Sequence, residues 1–379
     1  MKILIVGAGM AGLTAAYWLN HFGFHVDLIE KNYPDRLSLG YVIDVWGPGF
    51  SVLEKMGLLN ALRDKNCTLD DFIFVNAAGE TISQFSIPKF REIHGQRVLT
   101  VLRGDVEQAL HSLFSHIRYG VTIDHLIEKK DHVSVLFSDQ ATSEYDLVIG
   151  ADGTHSTVRE LVWGNEAQFS QDLGYQLAVA MLPNRMELQS ALYTYSDIGK
   201  QVAVCPTKEN QLACYFVYRT DSAQVNDPAS TLLNTFQQNR WIIPTLLKDI
   251  RGNQSVFFDG LAQVLLPMWH RNRVVLVGDA CHCLTLMGGQ GASMAIAAAF
   301  VLAHLLHLNR ENLAAGLQQY ESIVKPEMAE KQMIAREFLQ HFIPTTAIDI
   351  TSRNYFTRQF FKKMYAQNRV EAYCAQAGV

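Results

Sequence analysis

Residues Ile3 to Val6 form an aliphatic run without polar alternation, the pattern of a parallel strand covered on both faces. Three glycines follow, Gly7, Gly9 and Gly12. Leu13 to Phe22 then places Leu13, Ala16, Tyr17 and Leu19 at helical intervals, and Gly23 stands where a left-handed stop is needed. Val26 to Ile29 predicts a second strand that ends at Glu30. Tyr33 to Leu39 reads as a polar loop, and "GYVIDVW" (Gly40 to Trp46) is an apolar run interrupted by Asp44. Phe50 to Leu59 has helical spacing, and Phe72 to Asn76 with Thr81 to Phe85 flank "AAGE" as a hairpin. Val98 to Leu102 predicts a strand leading to Arg103, with Asp105 as the cap of a helix running through Phe114. Val121 to Ile127, Val133 to Phe137 and Asp146 to Ile149 read as strands, the last running into "GADGTHSTVR".

From Tyr175 to Tyr218 the pattern changes to short β-rich runs separated by turn residues, which predicts an antiparallel sheet. Leu232 to Ile250 is helical, and Val274 to Val277 is another aliphatic strand before "GDACHCLTLMGGQGAS". A long apolar helix spans roughly Met294 to Leu308, and the chain from Leu313 reads as mostly helical, interrupted at Pro326 and near Pro344. The fold class expected is α/β. Residues 1–72, 98–170 and 268–325 would build a nucleotide lobe, 73–97 and 171–267 a second lobe for substrate, and 326–379 terminal helices.

Composition narrows the partners. The chain has 379 residues, 49% hydrophobic and 18% charged, which suits two lobes with sizeable cores. A net charge of −5 without a Lys/Arg run argues against nucleic acid. Six scattered cysteines are too few for a disulfide scaffold, so a reducing compartment is expected. The apolar run from Ala292 to Leu308 is interrupted by Ser293, His304 and His307 and reads as a buried helix rather than a membrane span. Met1 to Trp18 imitates a leader peptide, but cleavage would discard half of a strand–helix–strand unit. A soluble cytoplasmic protein is expected, without stable membrane insertion, as a monomer or weak homodimer.

The first motif carries chemistry. Gly7 allows the sharp turn out of the strand, Gly9 lets backbone approach a pyrophosphate, and Gly12 lets helix and strand pack closely. Ala8, Met10 and Ala11 fill the turn between them, whose N–H groups would face phosphates. Glu30, followed by Lys31, is placed to accept the hydroxyls of an adenosine ribose. The alternative is a structural turn with a surface glutamate, and the fingerprint alone leaves NAD, NADP and FAD open.

Together with "GADGTHSTVR" (Gly150 to Arg159) and "VLVGDACHCLTLMGGQGAS" (Val275 to Ser293), this motif resembles the class A FAD-dependent monooxygenases, the aromatic hydroxylase family. The resemblance extends from residue 3 to about 308. It implies a Rossmann-like FAD-binding domain with an antiparallel-sheet substrate domain and C-terminal helices. Gly278 and Asp279 would meet the ribityl or pyrophosphate region of FAD, and Gly288 to Ala292, with Gly289, Gln290 and Gly291, would present N–H groups to the flavin pyrimidine ring. Asp152-Gly153 with Ser156 and Arg159 matches a motif serving FAD and nicotinamide together, and Arg103 would touch the flavin side. In two respects the chain departs from the pattern: Cys281 replaces an alanine, and Thr285-Leu286 stand where prolines are usual, which implies a differently shaped loop. No second G-x-G-x-x-G is present, so NADPH would dock transiently, with Arg36 and Arg159 as candidates for its phosphate.

"GYVIDVWGPGFSVLEKMGLL" is similar to the tetracycline destructase branch, in which an Asp at the place of Asp44 lies close to the flavin. Ile348 to Ala377 offers an amphipathic helix through Tyr355, Phe356, Phe360, Met364 and Tyr365, like the appended helix that covers the substrate cavity in that branch. The activity implied is NADPH-driven, with O₂ as cosubstrate: a flavin C4a-hydroperoxide passes oxygen to a polycyclic phenol or enol, tetracycline first. A polyketide- or phenol-tailoring hydroxylase is the alternative, followed by a halogenase, which "RWIIP" (Arg240 to Pro244) matches only in part, or a non-catalytic flavoprotein.

Each residue also has a plainer reading. Cys281-His282-Cys283 lacks the second pair a zinc site needs, so no metal is expected. Asp44 also reads as a polar strand end, Arg103 as a surface helix residue and Arg36 as a solvated loop residue. Tyr193, Tyr195, Tyr215 and Phe216 are substrate-cavity candidates, of which alternation along a sheet turns about half away. The terminal helix reads equally as a lid or a dimer contact. No catalytic acid–base residue is expected.

Overall fold

A computed structural model describes residues 1–33, 41–88, 92, 97–114, 116–220, 227–251, 256–285, 288–346 and 369–379. Its first sheet is built from the aliphatic runs. β1 (Lys2–Val6), β2 (His25–Glu30), β7 (Arg118–Tyr119), β11 (Leu147–Gly150), β17 (His270–Arg271) and β18 (Val274–Leu276) lie in the order β17-β18-β11-β1-β2-β7. All neighbours are parallel except β17–β18. Ile3, Leu4, Ile5, Leu147, Val148, Ile149, Val274, Val275 and Leu276 are fully buried, as an unalternating run requires. α1 (Met10–His21) follows the glycine turn and packs against α9 (Gly291–Leu308). Gly23, at φ +78, ends α1 in the left-handed region as expected.

Between β2 and β7 the chain makes a two-stranded ribbon, β3 (Val42–Trp46) paired antiparallel with β6 (Val98–Leu102). α2 (Pro48–Lys55) and α3 (Leu59–Arg63) replace the single helix expected from Phe50 to Leu59, broken at Gly57 with φ +76. α4 (Arg103–His111) begins at Arg103 itself: Leu102 is its N-cap and Asp105 sits in its first turn, not at the cap. β8 (Ile123–Glu128), β9 (Val133–Phe137) and β10 (Thr142–Tyr145) form an antiparallel crossover before β11, and α5 (Thr157–Trp163) follows it.

The expected second sheet is present and wider than the stretch from Tyr175 to Tyr218. β4 (Asp71–Val75), β5 (Thr81–Ser86), β12 (Ser170–Pro183), β13 (Ala191–Asp197), β14 (Lys200–Pro206), β15 (Gln211–Arg219) and β16 (Val256–Val264) lie in the order β16-β12-β15-β14-β13-β4-β5. Only β13–β4 is parallel. One face packs Ala178, Val202, Val204, Phe216 and Tyr218 under α6 (Pro228–Phe236) and α7 (Ile243–Arg251). Tyr175, Leu177, Val179 and Val217 lie on the opposite face.

α8 (Asp279–His282) and α9 carry the third motif, and α10 (Leu313–Phe342) then runs without interruption through Pro326, contrary to the sequence expectation. Pro326 and Ser322, whose carbonyl loses its partner, are both exposed, while Leu317, Tyr320, Val324 and Met328 are fully buried on the other face. Burial on both sides of the proline outweighs its cost of about 3 kcal/mol. α11 (Arg369–Gln376) buries Val370 and Cys374 in the core of the nucleotide lobe and contacts α9, α10 and α2. That part of the expected terminal helix therefore packs on the lobe of the first sheet and not on the seven-stranded sheet. Tyr355, Phe356, Phe360, Met364 and Tyr365 lie outside the described residues.

Candidate functional site

The three motifs begin where three adjacent parallel strands end. Val6 pairs with Gly150 and Gly150 with Leu276, so Gly7, Ala151-Asp152-Gly153 and Gly278-Asp279 emerge side by side at one edge of the sheet. Their glycines record how closely they meet. A Cβ on Gly7 (φ +103) would fall 2.4 Å from the Ala151 carbonyl oxygen, and one on Gly12 would fall 1.9 Å from the Gly7 oxygen. On Gly278 (φ +69) it would fall 2.8 Å from the Ala11 Cβ. Gly9 is different: nothing lies within 4 Å of a Cβ there, so its face of the turn is open to an approaching group.

This geometry fits the adenosine diphosphate half of a dinucleotide. Gly9 is the N-cap of α1 with no side-chain cap, which leaves the first-turn N–H groups aimed at the open side. Ala8 N–H donates to Glu30 Oε2 at 2.9 Å and Asn32 N–H to Glu30 Oε1 at 2.9 Å, so the carboxylate is locked beside the turn with acceptor capacity left for hydroxyls. Ala8, Met10 and Ala11 are buried beneath the turn, and Lys31 is exposed at the strand's end.

At the other end, Gly289 (φ +64) and Gly291 leave open space where a Cβ would stand. Gln290, buried, is the N-cap of α9, and no acidic residue lies in that helix's first turn. The N–H groups of Gly291 and Ala292 open an 18-residue helix, a setting for an electronegative ring edge. Thr285, in the loop before it, has φ +71, a left-handed conformation unusual for a β-branched residue, and Leu286 lies outside the described residues. The β3–β6 ribbon borders the helix: Trp46 N–H donates to Ser293 Oγ at 3.2 Å, and a Cβ on Gly49 would fall 2.5 Å from the Ser293 Cα. Asp44, exposed on the same ribbon, accepts from Thr100 Oγ1 at 2.7 Å. Its charge is among those that raise the Tyr215 hydroxyl and Cys205 thiol pKa values, after burial as the main cause.

Between the two ends lies a charged group. Arg103 Nε donates to Glu107 Oε1 at 2.9 Å and its Nη1 to Tyr41 Oη at 2.9 Å. Burial alone would lower the arginine pKa, and Tyr41, Glu107 and Asp279 together raise it instead. Asp279 is exposed, yet desolvation by the surrounding protein raises its carboxyl pKa against the pull of Arg103. Asp152 is occupied differently: it accepts from Ser156 Oγ at 2.5 Å and Val158 N–H at 3.1 Å, holding the start of α5, while Gly153 (φ +80) is open.

Two sets of expected residues are corrected. Arg159 has no exposed surface: its guanidinium donates to Ala280 O at 2.9 Å and Thr154 O at 2.7 Å and lies 3.4 Å from Glu166. It joins the second motif to the third and presents nothing to a nicotinamide phosphate from solution. Arg36 lies outside the described residues. Among the aromatic candidates, Tyr193, Tyr195 and Phe216 belong to the face covered by α6 and α7, away from the cleft. Tyr215 alone faces the nucleotide lobe, its hydroxyl bridging Val42 N–H at 2.6 Å and Val42 O at 3.1 Å.

The inner face of the sheet supplies Tyr175, Leu177, Val179 and Val217, against Leu339 and Ile343 of the α10 end and Tyr41. Phe74 packs with Ile334, Phe338 and Phe342 of α10. Sequence reasoning missed Tyr41, which no motif marks, and Glu107, which its i,i+4 spacing from Arg103 could have revealed. A cavity of about 500 Å³ lined by Cys67, Asn184, Ser190 and Lys208 contains none of the motif residues.

His282 is structural. Its Nε2 accepts from Gly278 N–H at 3.2 Å, and burial lowers its pKa to about 4, so the neutral ring fixes the turn before Asp279. Among the described residues no group of three His, Cys, Asp or Glu side chains is arranged to hold a metal. One described helix, Gly291–Leu308, is long and apolar enough to cross a membrane, and 72% of it is buried within the protein.

Known proteins resemble this chain. A family model described as FAD binding domain matches residues 1–333. A flavin-dependent monooxygenase from an unknown prokaryotic organism is 31% identical over 373 residues, 96% of this chain and 96% of its own length. Another, from Legionella longbeachae, is 28% identical over 333 residues, covering 86% and 85%. The crystal structure of tetracycline destructase Tet(55) matches with a TM-score of 0.82 at 28% identity, covering 96% of this chain and 97% of its own. The fold, the converging strand ends and these likenesses agree: the chain belongs to the FAD binding domain family and is a class A FAD-dependent monooxygenase near the tetracycline destructase branch.

Proposed function

We propose that the enzyme hydroxylates a polycyclic phenol or enol, with tetracycline as the first substrate to test and NADPH as the transient reductant. The observation that carries this reading is the convergence of the three motifs at the ends of adjacent strands, beside the apolar inner face of the seven-stranded sheet that packs toward Tyr41. Such a setting suits a flat, largely apolar ligand with a few polar edges. The likeness to Tet(55), a tetracycline destructase, supports the choice of substrate.

Bound FAD supplies the redox and oxygen chemistry. The chain's own residues have positioning tasks. Gly9 and Glu30 hold the adenosine end, Asp279 and Arg103 lie along the middle, and Gly289 to Ala292 receive the ring edge at the start of α9. Leu177, Val179, Val217 and Tyr215 keep water from the sheet side. An enol substrate brings its own electron-rich carbon, so the site needs no protein base. The enzyme would work in the cytoplasm as a monomer or weak dimer.

The test is loss of tetracycline absorbance with NADPH and O₂, compared with a plain phenol. Substrate should accelerate NADPH oxidation and consume O₂ without matching peroxide release. Tetracycline left unchanged while phenol is hydroxylated would replace the substrate class; a protein that binds no flavin would end the proposal.

A further inference from the structure

Arg336 lies in the second half of α10, where the helix meets both the loop at Cys283 and the inner face of the seven-stranded sheet. Gln332, Arg336 and Leu339 fall on one stripe of the helix, and Ile343 follows its last residue. Leu339 and Ile343 at its far end pack on the inner face of the substrate sheet. At its near end Gln332 Nε2 donates to Cys283 O at 3.0 Å and Val264 O at 2.8 Å. The neighbouring Ala335 Cβ lies 3.7 Å from where a Cβ on Gly288 would stand, at the start of the turn that receives the flavin ring. Arg336 thus sits at the corner between the ring turn and the substrate wall.

Its partner is neutral. Gln263, fully buried on β16, uses Nε2 on Leu284 O at 3.3 Å and Gln332 O at 3.0 Å. Both donations fix the amide so that Oε1 must face Arg336, whose Nη1 donates to it. Arg103 and Arg159 each have a carboxylate, Glu107 at 2.9 Å and Glu166 at 3.4 Å. Arg336 has none at ion-pair distance among the described residues, and its hydrogen bond to Gln263 is its one polar contact there. A half-buried guanidinium held by a neutral acceptor keeps its charge and most of its donors for something else.

Resting on the proposed substrate class, we infer that Arg336 is a specificity-determining residue that recognises an anionic oxygen on the substrate, an ionised enol or phenol, with Gln263 holding the guanidinium in place. The charge that makes such a substrate reactive would also be what orients it against the ring.

The experiment uses FAD-loaded enzyme and tetracycline, with Arg336→Met and Arg336→Lys. Losing a charge-assisted hydrogen bond should weaken tetracycline binding, read from the flavin absorbance change, about 10- to 100-fold in Arg336→Met, with partial recovery in Arg336→Lys. Wild-type affinity should rise with pH as the probe's enol ionises, and the Met variant should lose that rise. FAD affinity should match the wild type in both variants, while the melting temperature falls in Arg336→Met, because buried Gln263 Oε1 loses its donor. Tetracycline binding within threefold of wild type, or a loss that parallels FAD loss, overturns the inference. Should the wild type not bind tetracycline, that choice of substrate fails on its own. The same comparison then uses whichever enol or phenol accelerates NADPH oxidation, and acceleration only by compounds without an ionisable oxygen also overturns the inference.

Discussion

Gly9 and Gly12 stand three residues apart in one motif, yet the structure assigns them opposite sensitivities. Gly9 has φ −79 and ψ −173, a conformation any residue adopts, and nothing lies within 4 Å of an added Cβ. Gly9→Ala should therefore fold normally, and the smaller entropy of its unfolded chain stabilises it by about 0.4–1 kcal/mol. The same methyl projects into the open side of the turn, where a pyrophosphate would approach the backbone. Loss of one charge-assisted hydrogen bond there costs about 1.5–3 kcal/mol, roughly a 10- to 150-fold weaker FAD affinity.

Gly12→Ala places its methyl 1.9 Å from the Gly7 carbonyl oxygen and 3.3 Å from the Ala151 Cβ. The first contact is with backbone that cannot rotate away, so β1 and α1 must separate. Overpacking of this kind costs about 1–3 kcal/mol, more than the gain of about 0.5–1 kcal/mol from replacing a helical glycine. Flavin-free protein of both variants should be melted by circular dichroism and titrated with FAD by fluorescence quenching. Gly9→Ala should melt at or slightly above the wild-type temperature and lose affinity; Gly12→Ala should lose both. Wild-type FAD affinity in Gly9→Ala would refute the assignment of the turn, and wild-type melting in Gly12→Ala would refute the close packing.

Arg103→Met should destabilise the protein by about 3 kcal/mol in a denaturant titration, because the Glu107 carboxylate, with 6% of its side chain exposed, loses its ion-pair partner. Adding Glu107→Leu should restore stability without restoring FAD affinity; recovery of both would show that Arg103 serves the fold alone. His282 should make stability fall as pH drops from about 6.5 to about 4, since the unfolded ring takes up a proton that the folded, buried ring refuses. The shift corresponds to roughly 3 kcal/mol across that window. His282→Gln, which can still accept from Gly278 N–H, should lose this part of the slope in urea titrations at successive pH values, and an unchanged slope would refute the neutral-ring assignment.

How much of this was legible depended on whether a signal was local. The turn from Val6 to Gly12 was readable because each glycine answers to a neighbour only a few residues or one strand away. The seven-stranded sheet was readable from its β-rich runs, but the direction in which each aromatic points was not. Tyr215 and Phe216 are adjacent, and which one faces the cleft is decided by pairing Val179 with Tyr215 and Ala178 with Phe216, a register fixed by the rest of the sheet. Asp105 looked like a cap because the rule favours aspartate there, yet α4 starts at Arg103, whose N–H donates to Tyr41 O at 2.8 Å. Arg159 matched a motif correctly while its exposure stayed hidden, since the carbonyls that bury it belong to Thr154 and to Ala280.

The unbroken α10 connects what the sequence left separate. Its first half, through Leu317, Tyr320, Val324 and Met328, belongs to the core of the nucleotide lobe. Its second half, through Ile334, Phe338, Leu339 and Phe342, closes the inner face of the substrate sheet. A helix interrupted at Pro326 would have given each lobe its own cover and let the two shift independently. One continuous rod instead joins the core of the first sheet's lobe to the inner face of the seven-stranded sheet, and the Gln263–Gln332 bonds pin that rod to the loop at Cys283 and Leu284. Displacement of the substrate wall must therefore either bend a hydrogen-bonded helix or press on the turn at Gly288. Bending breaks backbone bonds in a buried stretch, so pressure on the turn is the softer response.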